Sequence, residues 1–118
     1  MPLNRRRQAV LAGILAMLVI AVFGYLVFAR YIESRTYARE QALKSDLFLM
    51  RDAIDDYRAR TGRCPDSLQT LVNAQYLRGI PTDPFTRTST SWRYSENNCD
   101  VKSSSTEQAS NGSRYGDW

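Results

Sequence analysis

The chain has 118 residues, of which 43% are hydrophobic, with two cysteines, no histidine and a formal net charge of +4. Four of its sixteen basic residues flank a single apolar run, and the other twelve balance the twelve acidic residues. The remainder of the chain is therefore neutral, which argues against nucleic-acid binding, because that function needs a basic face. Without histidine, a phosphate-binding loop or a nucleophile elbow, the sequence also argues against an enzyme and against a small-molecule substrate.

The apolar run predicts a transmembrane helix over residues 8–29, preceded by a basic segment, residues 1–7. Its 21 uncharged residues extend from Gln8 to Phe28. At about 1.5 Å per residue they span about 30 Å, the thickness of the hydrocarbon core of a bilayer. A cleaved signal peptide is the alternative. Its apolar region is usually about 7–15 residues long and ends in small residues, whereas this run ends in bulky ones.

The arginines around the run predict its orientation, because Arg5–Arg7 precede it and only Arg30 directly follows. By the positive-inside rule the N-terminus is cytoplasmic and the rest of the chain lies outside. We assign Val10 and Gly13 to a helix-packing surface. Gly13 forms a pair of small residues with Ala9, four residues before it, and such pairs allow a second helix to approach closely in lipid. A single-pass anchor that does not self-associate is the alternative.

Residues 30–61 are predicted to continue as an amphipathic juxtamembrane helix. Its apolar residues recur at helical spacing and share one face: Leu43, Leu47, Met50, Ile54 and Tyr57. This face packs against the rest of the chain or, in an assembly, against other copies. The charged residues are assigned to solvated faces, with Glu40 and Lys44 as an i, i+4 pair. Gly62 is expected to end the helix in a left-handed conformation.

The remaining segment, residues 62–118, is predicted to be a small head. A short helix is expected over Leu68–Ala74, capped by Asp66 or Ser67. Two segments are predicted as strands: Thr90–Ser95 and Asp100–Lys102. The predicted fold class is therefore α+β, with a long N-terminal helix, one short helix and a small antiparallel sheet.

The end of the chain is rich in Ser, Asn and Gly and is predicted to be a loop from Ser103 to Gly116. Large aromatic residues, Tyr115 and Trp118, are expected to pin this tail to the head, and a contact with a partner is the alternative. If the head lies outside the cytoplasm, Cys64 and Cys99 are expected to form a disulfide. Two reduced, buried thiols are the alternative.

Two groups of residues, at this spacing, form a recognisable pattern. The first follows the long helix and consists of Tyr57, Gly62 and Pro65. The second is the head segment Ile80-Pro81-Thr82-Asp83-Pro84-Phe85, with Trp118 beyond it. The pattern resembles that of type IV pilin-like proteins, specifically the major (G-type) pseudopilin of type II secretion systems. The resemblance covers about residues 30–118.

This resemblance implies a pilin-like fold in the bacterial inner membrane, with the head in the periplasm. It implies a structural subunit that assembles into a filament with its own copies and with other pilin-like subunits, and that takes part in protein secretion across the outer membrane. Prepilins of this family have Gly-Phe and then a glutamate five residues into the mature chain. Here Gly13 is followed by Ile14 and Leu18 occupies the fifth position. A non-polymerising, membrane-anchored pilin-like binding module is therefore the alternative.

The family's major pseudopilins also bind calcium in the C-terminal loop, through hard oxygen ligands. In this sequence the calcium candidates are Asp100 and Asp117, but the family's run of adjacent acidic residues is missing. We therefore expect no cofactor. A Cys64–Cys99 disulfide would take over the stapling role of the metal.

Overall fold

The structure is a computed structural model that describes residues 4–118. It contains five elements: α1 (Arg5–Thr61), α2 (Leu68–Asn73), β1 (Arg93–Ser95), β2 (Asp100–Lys102) and a 3₁₀ helix (Tyr115–Asp117). The predicted α+β fold class, with one long helix, one short helix and a small antiparallel sheet, is thus confirmed. Residues 1–3 of the predicted cytoplasmic segment lie outside the described residues. The chain divides into two compact units, an N-terminal unit (Met1–Thr36) and a C-terminal unit (Tyr37–Trp118).

In the N-terminal unit, the first part of α1 has no neighbour within the unit, and every residue from Asn4 to Arg35 is exposed. The most apolar window of 18 residues in α1 has a mean hydropathy of 2.7 and contains no buried residue. By length and composition this helix is able to cross a membrane. A helix satisfies its own backbone hydrogen bonds, which is the requirement for a segment surrounded by lipid.

In the C-terminal unit, one face of α1 is buried. Its buried residues recur at helical spacing: Glu40, Leu43, Leu47, Met50, Ala53 and Ile54. The helix ends where the sequence predicts. Gly62 has a φ of +75°, and its N–H donates to the carbonyl of Arg58 at 2.8 Å. Glycine suits this position because it lacks the Cβ atom that disfavours a left-handed backbone.

Helix α2 begins at the predicted cap. The Ser67 hydroxyl accepts a hydrogen bond from the N–H of Thr70 at 3.3 Å, which satisfies one of the free donors at the helix start. The helix is one residue shorter than predicted, because Ala74 (φ −88°, ψ 6°) leaves the helical conformation and acts as the C-cap. Leu68 and Leu71 on α2 are buried.

Strands β1 and β2 pair antiparallel, with Tyr94 opposite Val101. Strand β2 has the predicted bounds, but β1 is shorter than predicted and begins at Arg93. Its predicted start at Thr90 belongs to a turn instead, because the N–H of Thr90 donates to the hydroxyl of Thr88 at 3.0 Å. That local hydrogen bond removes the donor that a strand would need.

The core of the C-terminal unit collects apolar side chains from α1, α2, the sheet and the C-terminal segment. Its buried hydrophobic members are Leu43, Leu47, Met50, Ala53, Ile54, Leu68, Leu71, Leu77, Trp92, Val101, Ala109 and Tyr115. Burial of each large member stabilises the fold by about 1.5–3 kcal/mol relative to exposure. Ala109 and Tyr115 come from the segment predicted as loop. That segment is largely irregular but also contains the 3₁₀ helix and an isolated bridge between Gln108 and Arg114.

Candidate functional site

The N-terminal unit presents a continuous apolar surface. Every large apolar side chain from Val10 to Phe28 is between 51% and 73% exposed. A Cβ atom built on Gly13 would meet nothing within 4 Å, so the surface is also open at this glycine. Contiguous apolar patches of this kind mark membrane or protein interaction surfaces, since water solvates them poorly. The predicted helix-packing residues Val10 and Gly13 both lie on it.

The other predicted helix-packing residues lie inside the C-terminal unit. Leu43, Leu47, Met50 and Ile54 are at most 2% exposed and form its core. Tyr57 is half-buried, and its ring meets that of Tyr76 edge-on, with 5.4 Å between centroids. The apolar face of α1 that these residues share therefore packs against the rest of the C-terminal unit. Of the two alternatives for this face, the structure shows the contact with the rest of the chain, because these four side chains are buried within one molecule.

Glu40 is a buried anchor for the C-terminal segment, with only 7% of its surface exposed. Its carboxylate accepts hydrogen bonds from the Ser110 N–H at 3.0 Å, the Ser110 hydroxyl at 3.1 Å and the Tyr115 hydroxyl at 2.9 Å. The Ser110 N–H is the main reason that the pKa of Glu40 lies below its ordinary value, although burial acts in the opposite direction. Burial, together with the bond to Glu40, raises the pKa of Tyr115 to about 12.

The assignment of Glu40 to a solvated face is therefore wrong, although the charge of Lys44 still contributes to lowering the pKa of Glu40. The Lys44 ammonium lies over the ring of Trp118, 5.0 Å from its centroid. A signal was present in the sequence, because Glu40 stands three residues before Leu43 and seven before Leu47, on the face that the apolar residues share. What the sequence lacked was the identity of the donors that satisfy the buried carboxylate.

Arg51 is a second anchor on α1 that the sequence assigned to the solvated faces. Its Nε donates to Asp100 Oδ1 at 2.8 Å. Its Nη2 donates to the carbonyls of Val101 at 3.0 Å and Trp118 at 2.9 Å. Both charged side chains are about one-third exposed, so solvent weakens the ion pair. The two hydrogen bonds to carbonyl groups fix the orientation of the Arg51 side chain, because a guanidinium presents its donors in a fixed plane.

The two calcium candidates are placed differently. Asp100 Oδ1 accepts hydrogen bonds from Arg51 and from the N–H of Val101. Asp117 lies exposed in the 3₁₀ helix. Within residues 4–118, no group of three or more His, Cys, Asp or Glu side chains is arranged to hold a metal ion, so neither candidate belongs to one.

Asp83, from the family-like motif, is completely buried. Its Oδ1 accepts from the N–H groups of Phe85 at 2.8 Å and Thr86 at 3.3 Å, and its Oδ2 accepts from the Ser103 hydroxyl at 2.5 Å. One carboxylate thus closes the turn that follows it and connects that turn to the segment after β2. Burial and the nearby charge of Asp83 raise the pKa of Asp46 on α1.

The prolines of the motif have structural roles. The carbonyl of Pro65, a buried residue, accepts from the Tyr94 hydroxyl at 2.5 Å. The carbonyl of Pro81 accepts from the indole N–H of Trp92 at 2.8 Å. Pro84 is half-buried directly after Asp83. These contacts satisfy the polar atoms of two large aromatic side chains at the edge of the core.

The aromatic residues at the end of the chain pack on the head, as expected. The ring of Tyr115 stacks on Phe85 with 3.8 Å between centroids, and Trp118 meets Tyr115 edge-on at 5.0 Å. Gly116, which lies between Tyr115 and Trp118 in the sequence, is closely surrounded by other atoms of the C-terminal unit. A Cβ atom at this glycine would lie 2.9 Å from Arg93 Nη2 and 3.0 Å from the carbonyl oxygen of Ser105.

The predicted disulfide between Cys64 and Cys99 is present, with 5.5 Å between the Cα atoms. It joins the segment that follows α1 to the turn between β1 and β2. A covalent bond here closes a loop across most of the head. In the chain-entropy model such a loop stabilises the fold by about 4 kcal/mol.

The outward face of α1 in the C-terminal unit borders an open groove of about 580 Å³. Phe48, which is 73% exposed, lies at this groove. The remaining lining residues are Lys44, Leu47, Arg51, Asp52, Asp55, Asn111 and Trp118. Exposed aromatic side chains such as Phe48 are enriched at protein interfaces.

No protein-family model, no curated protein and no solved structure matches this chain. Its function is therefore inferred from its own sequence and geometry. Two features define the class of protein to consider. One is a helix whose apolar surface is open on all sides, and the other is a small α+β unit that buries its own core.

Proposed function

We propose that this chain is a structural, pilin-like subunit of a type II secretion pseudopilus or a related filament, taking part in protein secretion across the outer membrane. Residues 8–29 anchor it in the bacterial inner membrane as a single pass. Its N-terminus is cytoplasmic and its C-terminal unit is periplasmic. The observation that supports this most strongly is the open apolar surface of α1 from Val10 to Phe28, which needs either lipid or further copies of the helix to cover it.

Assembly requires helices that approach one another within or out of the membrane. Lipid chains are as apolar as leucine, so close packing and small residues drive helix association there. Ala9 and Gly13 form such a small pair, and the space around Gly13 is open. In this proposal the exposed half of α1 forms the filament core with other copies, while the C-terminal unit covers its outside.

The C-terminal unit supports the same proposal. Its disulfide fits an oxidising compartment such as the periplasm. Glu40 and Arg51 hold the end of the chain on α1, which gives a filament a rigid outer surface. The subunit acts by burial and contact, with no catalytic step, and needs no cofactor.

A second candidate function is a membrane-anchored, non-polymerising binding module. Two observations favour it. Ile14 and Leu18 stand where the resembling prepilins have phenylalanine and glutamate, and no acidic residue occurs between Met1 and Tyr31. In addition, the groove beside Phe48 offers an exposed aromatic ring and two carboxylates to a periplasmic partner.

The two candidates are separated by intact mass and sedimentation of the protein taken from its native membrane. A filament subunit that packs through Ala9 and Gly13 is expected in the sheared, sedimenting fraction with a mass that still includes both residues. A full-length mass, two daltons light for one disulfide and confined to the inner membrane, would contradict the filament and leave the anchored module. A mass lacking the whole apolar run would identify a cleaved signal sequence and contradict both.

A matched pair of variants tests the packing surface itself. Gly13→Leu fills the open position with a bulky side chain and is expected to remove the protein from the sheared fraction. Met17→Leu changes an exposed side chain of the same run at nearly constant volume and is expected to leave the sheared fraction unchanged. Equal behaviour of the two variants would contradict packing through Gly13.

A further inference from the structure

The first turns of α1 carry a small groove with a charged end and an apolar end. It has a volume of about 300 Å³ and is lined by Arg6, Arg7, Val10 and Leu11. Arg6 and Val10 are four residues apart, as are Arg7 and Leu11, so the groove lies between two adjacent ridges of the helix. All four side chains are exposed. Two guanidinium groups therefore stand directly beside two aliphatic side chains.

The charges of this groove have no nearby counter-charge within the N-terminal unit, because its single acidic residue, Glu33, lies about 39 Å along α1 from Arg7 at about 1.5 Å per residue. No acidic residue occurs between Met1 and Tyr31. Within residues 4–118, the one ion pair joins Arg51 to Asp100, and both belong to the C-terminal unit. The exposed side chains of Arg6 and Arg7 are therefore open to an anionic group of another molecule.

We propose that this groove binds one anionic phospholipid, whose phosphate contacts Arg6 and Arg7 and whose upper acyl chain lies along Val10 and Leu11. A guanidinium matches a phosphate well because its planar donors bind two oxygens at once. A lipid also explains the apolar half of the groove, which a free phosphate ion does not use. The proposal rests on one part of the proposed function, namely that residues 8–29 span a membrane.

The position of the groove along α1 agrees with this ligand. The uncharged run begins at Gln8, directly after Arg7. If the run fills the hydrocarbon core, the two arginines lie at the level of the headgroups, and Val10 and Leu11 lie at the level of the first acyl carbons. A lipid in the same leaflet then meets both halves of the groove without leaving its place in the bilayer.

The experiment uses the full chain reconstituted in phosphatidylcholine vesicles that contain spin-labelled phosphatidylglycerol or spin-labelled phosphatidylcholine. Electron spin resonance gives the relative association constant of the two lipids with the protein. We expect a preference for phosphatidylglycerol on the order of fivefold for each arginine engaged, which falls as salt concentration rises. The double variant Arg6→Gln/Arg7→Gln should lose it, whereas Arg6→Lys/Arg7→Lys should keep part of it.

The control variant is Arg58→Gln/Arg63→Gln, which removes the same charge from exposed residues of the C-terminal unit and should keep the full preference. Equal association of the two lipids, or an equal loss in the control variant, would overturn the lipid site alone. Displacement of labelled phosphatidylglycerol by inorganic phosphate would overturn it in favour of a simple anion site. Failure to insert into either vesicle would overturn the membrane anchor as well.

Discussion

The two units of this chain use the same helix in opposite ways. In the N-terminal unit, α1 is apolar on all sides and exposes its large side chains, whereas in the C-terminal unit it is apolar on one face and buries that face. A helix with a single apolar stripe finds its partner within its own chain. A helix that is apolar all round needs a different solvent or further copies of itself. The hydrophobic pattern of α1 therefore distinguishes two parts of the helix. The part with one apolar face packs within its own chain, and the part that is apolar on all sides inserts into a membrane or packs with other copies.

The polar residues of α1 differ between the units in the same way. In the C-terminal unit, Glu40 and Arg51 reach across to the end of the chain and hold it in place. In the N-terminal unit, Arg6 and Arg7 have no such partner among the described residues. The charged side chains of Glu40 and Arg51 on α1 thus have hydrogen-bond partners within the chain, whereas those of Arg6 and Arg7 have none among the described residues.

The largest expected effect comes from removing the disulfide. The double variant Cys64→Ser/Cys99→Ser should lower the free energy of unfolding of the C-terminal unit by about 4 kcal/mol, since the unfolded chain gains conformational entropy. Denaturant unfolding followed by tryptophan fluorescence reports on this unit alone, because Trp92 and Trp118 both lie in it. Membrane insertion of the N-terminal unit should not change. An unchanged unfolding midpoint would show that the disulfide does not stabilise the C-terminal unit.

A pair of leucine variants compares the two units directly. Leu47→Ala removes a side chain that is 2% exposed and should lower the free energy of unfolding of the C-terminal unit by about 2–5 kcal/mol through loss of burial and a residual cavity. Leu18→Ala changes a residue that is 58% exposed and should leave that free energy unaltered. Comparable losses from both variants would contradict the division into one open and one self-packed unit.

Glu40 gives the C-terminal unit a pH dependence. Its pKa is lowered by folding from an ordinary value of 4.5, so its contribution to stability is present above that pH and is lost as the pH falls through the folded-state pKa. Glu40→Gln should lower the free energy of unfolding by about 1–3 kcal/mol at neutral pH. It should also reduce the pH dependence below 4.5.

The measurement is denaturant unfolding of the wild type and the variant between neutral and acidic pH, with Glu107→Gln as the control. Glu107 is exposed, so its substitution should keep the wild-type pH dependence. Parallel pH profiles for the wild type and Glu40→Gln would show that this carboxylate does not anchor the C-terminal segment.

The smallest effect is expected at the enclosed glycine. Gly116→Ala places a methyl group 3.0 Å from the carbonyl oxygen of Ser105 and against the Arg93 guanidinium, so we expect a loss of about 1–2 kcal/mol in unfolding free energy from overpacking. Gly79→Ala is the matched control, because a Cβ atom there meets nothing within 4 Å. A thermal melt of both variants should separate them. Coincident melts would argue against tight packing of the C-terminal segment.

The parts of the fold that follow local rules were predicted from the sequence. The end of α1 at Gly62 and the cap at Ser67 depend on backbone conformation and on a side chain within three residues. The stripe from Leu43 to Ile54 follows from helical periodicity alone. Strand β2 was also predicted, but the start of β1 was not, because a hydrogen bond between Thr88 and Thr90 holds the chain in a turn.

The anchors were missed for a different reason. A charged residue on a helix is usually solvated, and the sequence gives no sign that Ser110 and Tyr115 will supply donors to Glu40. The same holds for Arg51, whose three acceptors lie 49 to 67 residues further along the chain. Long-range pairing of polar groups depends on the final arrangement of the chain, which periodicity does not contain.

The most direct test of the central claim is disulfide cross-linking at two single positions of α1 in native membranes. Ile14→Cys introduces a thiol at a position that is 51% exposed in the N-terminal unit, and Leu47→Cys introduces one at a position that is 2% exposed in the C-terminal unit. Under mild oxidation we predict covalent dimers for Ile14→Cys, the largest product that one free thiol per chain allows, and monomers for Leu47→Cys. Monomers for Ile14→Cys would contradict assembly through the open half of the helix.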